Sequence, residues 1–122
     1  MSCIFCNTDK NRIILENEDA FVIYDAFPVS KGHMLIIPKK HIENYFEVDE
    51  EIKLKLWELV DKCKEMADEK FAPQGYNIGI NCGIAAGQTV MHLHIHLIPR
   101  YSGDMENPRG GVRGVIPDKR IY

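Results

Sequence analysis

The sequence predicts an α+β fold: a five-stranded antiparallel sheet with one long amphipathic helix on a face. Three observations predict it. Five short apolar runs are each bounded by turn residues. One stretch, Asp49 to Phe71, changes to a helical period. The order of the elements is β-β-β, helix, β-β.

"RIILEN" (Arg12 to Asn17) and "AFVIYD" (Ala20 to Asp25) read as the first two strands, joined by the polar turn Asn17-Glu18-Asp19. "AFPVSKG" (Ala26 to Gly32) is a loop. "HMLIIP" (His33 to Pro38) is the third strand, ended by a proline that has no N–H for a ladder. In the helix, Ile52, Leu56, Leu59, Val60, Cys63, Met66, Ala67 and Phe71 recur at intervals of three and four. Asp49 is its expected N-cap, Glu50 and Glu51 suit the positive helix end, and Pro73 and Gly75 stop it. "YNIGIN" (Tyr76 to Asn81) and "VMHLHIHLIP" (Val90 to Pro99) are the fourth and fifth strands, separated by the glycine-bearing loop "CGIAAGQT". From Arg100 to Tyr122, four glycines and two prolines predict an irregular tail.

Length and charge bound the function. At 122 residues the chain is expected to be a single domain, 1–122, large enough to bury a core without disulfides. No apolar run approaches the ~20 residues of a membrane span, and "MSCIFCNTDK" has no leader pattern, so the expected compartment is the cytoplasm. A net charge of -3 argues against binding a nucleic-acid duplex. It leaves room for a small anionic ligand, because a pocket needs only local donors.

The chemistry concentrates in "MHLHIHLIPR". Side chains on a strand alternate between faces, so Met91, Leu93, Ile95 and Leu97 are expected in the core and His92, His94 and His96 together on the other face. Three buried imidazoles each need a partner. One reading makes them ligands for zinc or iron. Another makes one imidazole a nucleophile oriented by its neighbours. No Asp or Glu lies between Phe71 and Arg100. Instead, Gly83, Gly87, Gln88 and Thr89 precede the strand and Arg100, Arg109 and Arg113 follow it, which suits phosphate.

"HLHIHLI" resembles the His-φ-His-φ-His-φ-φ signature of the histidine triad nucleotide hydrolases and transferases. "GHMLIIPKKHI" (Gly32 to Ile42) and "AGQTVMHLHIHLIPR" (Ala86 to Arg100) resemble that family in the same order and separation, so the likeness covers most of the chain. It implies that His94 is the nucleophile at the α-phosphorus of a nucleotide conjugate, forming a nucleotidyl-histidine intermediate. It implies that His96 contacts the phosphate or leaving-group oxygen, that Gln88 and Thr89 contact phosphate oxygens beside Gly87, and that His33 lies close to the nucleophile. Asp25 would meet the ribose hydroxyls and Asn81 the phosphates or ribose. Ile4, Phe5, Ile23 and Phe27 are candidate walls for a purine base, or equally ordinary core. Catalytic metal is not implied. "QTV" and "PR" around the triad lean toward the diadenosine-polyphosphate-hydrolase-like branch; phosphoramidases share the nucleophile. A nucleotide-binding protein with incidental hydrolysis is the other class.

Cys3-Ile4-Phe5-Cys6 alone reads as a redox pair or half a zinc site, and it lacks the βαβ setting of a thioredoxin motif. The resemblance completes it: zinc-bearing members use a Cys, Cys, His, His set, which here implies structural zinc at Cys3, Cys6, His41 and His92. Cys63 reads as a buried hydrophobe. "NPRGGVRGVIP" resembles tails of the same branch, and this implies that Arg109 and Arg113 reach outgoing phosphates. The family's usual dimer implies two sheets joined edge to edge into ten strands, which closes an exposed edge.

Overall fold

The computed structural model describes residues 3–122. Five strands form: β1 Ile13–Glu16, β2 Ala20–Tyr24, β3 Met34–Pro38, β4 Gly75–Gly79 and β5 Ile95–Arg100. They pair antiparallel in one sheet of order β1-β2-β3-β5-β4. The helix α1 spans Glu50–Phe71. Among the described residues, no helix is long and apolar enough to cross a membrane.

Local chemistry explains the elements. In the β1–β2 turn, the Asn17 side chain accepts the N–H groups of Asp19 and Ala20 at 3.0 and 2.9 Å, a side-chain substitute for turn backbone. The Asp49 carboxylate accepts the Ile52 N–H at 2.9 Å and caps α1 as expected. At the other end Ala72 takes a left-handed conformation (φ 48°) and returns its N–H to Asp68, while Pro73 prevents continuation.

The helix buries Leu56, Leu59, Val60, Cys63 and Ala67 against Val22, Met34, Ile36, Leu93, Ile95 and Leu97. Burial pushes the Cys63 thiol up to about 12, so it is an inert apolar group. Alternation sends Phe21, Ile23, Leu35 and Ile37 to the opposite face, where Phe5 covers them. The second face carries the chemistry, because the register Leu35↔His96 puts His96 on it.

The fifth strand is shorter than predicted. It begins at Ile95, not Val90, because β3 and β5 pair only over Met34–Ile36. Pro38 ends β3, and the Leu93 N–H turns to the Ile42 carbonyl at 2.7 Å. The alternation nevertheless persists through the irregular part: Leu93, Ile95 and Leu97 are buried on the helix side. The tail is more ordered than its composition suggested. Two 3-10 turns, Gly111–Val115 and Pro117–Lys119, fold it back toward β4.

Candidate active site and metal site

The rings of His33, His92 and His94 are each fixed by a backbone group that can play only one part in a hydrogen bond, and this assigns their protons. The His94 Nδ1 lies 2.8 Å from the His92 carbonyl oxygen. A carbonyl only accepts, so Nδ1 carries the hydrogen and the Nε2 lone pair is free. The His33 Nδ1 accepts the Val29 N–H at 3.0 Å. Neutral His33 therefore carries its hydrogen on Nε2, which donates to the His96 Nδ1 at 2.9 Å. That in turn puts the His96 hydrogen on Nε2. The Asp25 carboxylate stands 3.5 Å from the His33 Nε2 and accepts the Phe27 N–H at 2.9 Å.

Burial keeps the His33 and His96 rings neutral. It lowers the pKa of His33 against the opposing pull of Asp25. His96 is pushed down to about 4, by burial first and then by the neighbouring His94 and His33 rings. His96 is thus a hydrogen-bond donor, not a standing cation, over the physiological range. Phe5 packs edge-on to His94 with ring centroids 5.1 Å apart, and the His96 ring lies at the same distance from His94.

The loop before the strand is shaped by two glycines in left-handed or related conformations, Gly83 (φ 94°) and Gly87 (φ 93°). Gln88 is 4% exposed and spends its amide on backbone groups of the loop, the residue after it and the segment following β3. Its Oε1 accepts the Gly83 N–H at 2.8 Å, and its Nε2 donates to the Glu43 and Val90 carbonyls at 2.9 and 3.1 Å. In this structure Gln88 therefore orders the loop, while the neighbouring Thr89 is exposed.

The expected base walls separate into two groups. Phe5 is buried beside His94. Ile23 is buried too, but within the sheet's second core layer, so it supports the site from below. Phe27 is 88% exposed and Ile4 66% exposed, so neither encloses anything here. The physical reason at Phe27 is the turn after Asp25, whose side chain takes the Phe27 N–H.

His92 turns away from its two companions. Its Nε2–H donates to the Pro38 carbonyl at 2.8 Å, which leaves the Nδ1 lone pair facing Cys3, Cys6 and His41. The His92 Nδ1 is 3.4 Å from the Cys3 Sγ, 3.6 Å from the Cys6 Sγ and 3.1 Å from the His41 Nδ1, and the Cys6 Sγ is 3.4 Å from that same His41 atom. A tetrahedral zinc with the usual bond lengths has N···N and N···S edges of about 3.3 and 3.5 Å. The four donors fit such an ion. Among the described residues, the three triad rings do not share a ligand set; His96 groups with His33 and Asp25 instead. The reading of His92, His94 and His96 as one metal centre finds no support in this geometry.

A cavity of about 670 Å³ opens beside His96, and neither Phe5 nor His94 lines it. Asn81, His33 and His96 stand at it, and Ile98, Arg100, Asp104 and the tail residues Val112 and Val115 also line it. The resemblance implied that the tail reaches the site through Arg109 and Arg113; no periodic signal marks Val112 and Val115 as the residues that line it instead. Arg109 and Arg113 do not line the cavity. Their guanidinium groups stack on the Tyr122 ring at 5.2 and 4.7 Å, and Arg113 also donates to the Lys119 carbonyl at 2.8 Å.

The sequence profile of the HIT domain matches residues 7–103. A 16.1 kDa HIT-like protein of Mycoplasma pneumoniae is 44% identical over 107 residues, covering 82% of this chain and 72% of that one. The adenosine 5'-monophosphoramidase of Schizosaccharomyces pombe is 36% identical, covering 82% and 75%. The bis(5'-adenosyl)-triphosphatase of Dictyostelium discoideum is 34% identical, covering 80% and 66%. The crystal structure of a Zn-bound histidine triad family protein from Mycobacterium smegmatis superposes with a TM-score of 0.78 at 35% identity, over 88% of this chain and 81% of that one.

Proposed function

This chain belongs to the HIT domain family, and from that premise we propose that it is a nucleotidyl hydrolase working through His94. The substrates are dinucleoside polyphosphates or related conjugates of a purine nucleotide, cleaved at the α-phosphate. The observation that carries this reading is the tautomer at His94: Nδ1–H is tied to the His92 carbonyl, which leaves Nε2 as an unshared lone pair.

In the first half-reaction the His94 Nε2 lone pair attacks the α-phosphorus. A P–N bond to the protein forms, and the bond from phosphorus to the leaving group breaks. A polyphosphate leaves as a stable anion. An amine leaves after taking one proton from solvent. In the second half-reaction water attacks the same phosphorus, the His94–phosphorus bond breaks, one proton is released, and the nucleoside monophosphate departs. The His96 Nε2–H, aimed by His33, is the donor for the reacting oxygens, and a donor in place before the reaction costs no reorganisation during it. The exposed Thr89, beside the loop that Gln88 holds, is the candidate for a further donor to the phosphate oxygens. Asp25 is the candidate for the ribose hydroxyls, Asn81 for the phosphates or ribose, and Phe5 for the base.

Cys3, Cys6, His41 and His92 are the residues that would hold a structural zinc ion, which would tie the N-terminus to the residues before β5. The Mycobacterium smegmatis neighbour, described as Zn-bound, supports that reading. A homodimer joined through β4 would pair an edge strand whose Ile78 is 42% exposed.

The deciding experiment is intact-mass detection of a nucleotidyl adduct during turnover of diadenosine tetraphosphate and of an adenosine phosphoramidate. The wild type should show the adduct with at least one of them, and His94→Gly with neither. An adduct that persists in the variant would overturn the assignment of His94. Tight monophosphate binding with no turnover of either compound would favour a binding protein over an enzyme.

A further inference from the structure

Cys3 and Cys6 take no part in the reaction drawn above, but a residue between them does. Phe5 is buried, and its ring stands edge-on to two imidazoles at once. Its centroid is 5.8 Å from that of His92 and 5.1 Å from that of His94. His92 belongs to the cluster of Cys3, Cys6 and His41, and His94 is the nucleophile of the proposed reaction. Phe5 therefore joins the thiol cluster to the reacting ring through aromatic edge contacts.

The segment that carries Phe5 has few other fastenings. Among the described residues, the hydrogen bonds of residues 3–8 run within the segment, apart from those of the two thiols. The Asn7 N–H and Nδ2 donate to the Cys3 carbonyl at 3.1 and 2.9 Å, and the Thr8 hydroxyl donates to the Phe5 carbonyl at 2.8 Å. Two things bind the segment to the sheet. One is the Phe5 ring against Phe21, Ile23, Leu35 and Ile37. The other is the pair of thiols at His41 and His92. Without the thiols, the burial of one side chain would have to offset the backbone entropy of several residues.

The two thiols are open to chemistry. Cys6 is exposed and Cys3 half-buried, whereas Cys63 is sealed in the core. The Cys3 and Cys6 sulfurs lie within 4.8 Å of one another, and a disulfide needs them at about 2.05 Å. Two residues separate them, the spacing of pairs that interconvert between dithiol and disulfide.

We propose that Cys3 and Cys6 form a redox-sensitive clip: a peroxide oxidises them to a disulfide, the cluster loses both sulfur ligands, and Phe5 is released from His94, which weakens the nucleotide site. The inference rests on the hydrolase reading above for the identity of that site. The exposed Cys6 thiolate attacks one peroxide oxygen, the O–O bond breaks, and a sulfenic acid forms as hydroxide leaves. The Cys3 thiolate then attacks the Cys6 sulfur, the S–S bond forms, the S–O bond breaks, and a second hydroxide leaves. The two hydroxides take up protons, so the thiolate pair is oxidised and the peroxide is reduced to water. A disulfide sulfur carries no charge and is a poor ligand, so His41 and His92 alone would remain to hold zinc.

The test treats the zinc-loaded, full-length protein with excess hydrogen peroxide, and Cys82→Ser in parallel to remove the other thiol that solvent reaches. Zinc release is read with a colorimetric chelator and the disulfide by peptide mass mapping. Hydrogen exchange over residues 3–8 and the Kd for adenosine monophosphate are measured before and after. About one ion per chain should leave as the Cys3–Cys6 disulfide forms, in both proteins. Exchange in the segment should rise, and the Kd should rise by about tenfold, the scale of a lost aromatic contact. Dithiothreitol with zinc should reverse every change, which keeps the test decisive even where thiol-free variants fold poorly. Cys3→Ser combined with Cys6→Ser should show the weaker Kd from the start and no response to peroxide. Zinc and thiols that survive the treatment overturn the proposal, as does untreated protein that holds no zinc. A disulfide that forms while exchange and nucleotide affinity stay unchanged overturns the link through Phe5. Failure of untreated protein to bind the monophosphate overturns both readings. Binding that responds as expected, without turnover or adduct, removes the hydrolase reading and supports the clip.

Discussion

Replacing His96 with Asn should remove a specific part of the protein's acid sensitivity. The buried His96 ring titrates at about 4 in the folded chain, against 6.5 for the unperturbed group. Because the folded value is the lower, the unfolded chain takes up the proton first. Stability is therefore full above pH ~6.5, falls as pH drops, and levels off near pH 4. Linkage over that window gives a loss of about 2 kcal/mol between pH 7 and pH 5 from this one ring, and protonation of His33 acts in the same direction. The Asn side chain keeps an acceptor near Nδ1 for the His33 Nε2–H and does not titrate. The assay is urea unfolding of both proteins at pH 7 and pH 5. With a slope of about 2 kcal/mol per molar, the wild-type midpoint should fall by about 1 M more than that of the variant. The comparison cancels contributions common to both, including acid loss of any bound metal. If the gap between the two proteins does not change with pH, His96 is not held neutral by burial. The donor geometry drawn from its tautomer would then be wrong.

Two further outcomes follow from the same geometry. Cys3→Ser should lower bound zinc, measured by atomic emission on purified protein, from about one ion per chain toward none, because a hydroxyl is a poor ligand beside one thiolate and two imidazoles. Zinc retained at one per chain would refute the four-residue set. Asp49→Ala removes the side chain that accepts the Ile52 N–H and should cost about 1 kcal/mol, a fall in Tm of about 4 °C by calorimetry. An unchanged Tm would show that the cap contributes nothing to global stability.

Much of the architecture was legible because it rests on local rules. The 3.6-residue period from Ile52 to Phe71 can be buried on one side only as a helix, and Asp49 is a cap by side-chain chemistry. Leu93, Ile95 and Leu97 alternate with the histidines, so their burial on the helix side follows from strand geometry even though β5 begins only at Ile95. The motif around His94 was equally plain. The start of β5 was not. Its pairing depends on where β3 stops and on the Leu93–Ile42 bond, which brings together residues 51 positions apart.

What only tertiary structure decided is which atom each side chain spends. The sequence shows three histidines at alternate positions. The fold aims the His92 Nδ1 at two cysteines, because the Pro38 carbonyl arrives from β3, and hands the His96 Nδ1 to His33, 63 positions away, while the nearby His92 carbonyl and Val29 N–H set the His94 and His33 tautomers locally. The same holds for Gln88, whose amide is consumed by three backbone groups, and for Arg109 and Arg113, which close on Tyr122 and leave the cavity to valines. Residue types and spacing fix which chemistry is available. Hydrogen-bond valence is satisfied in three dimensions, and only there is each lone pair and each charge assigned to a task.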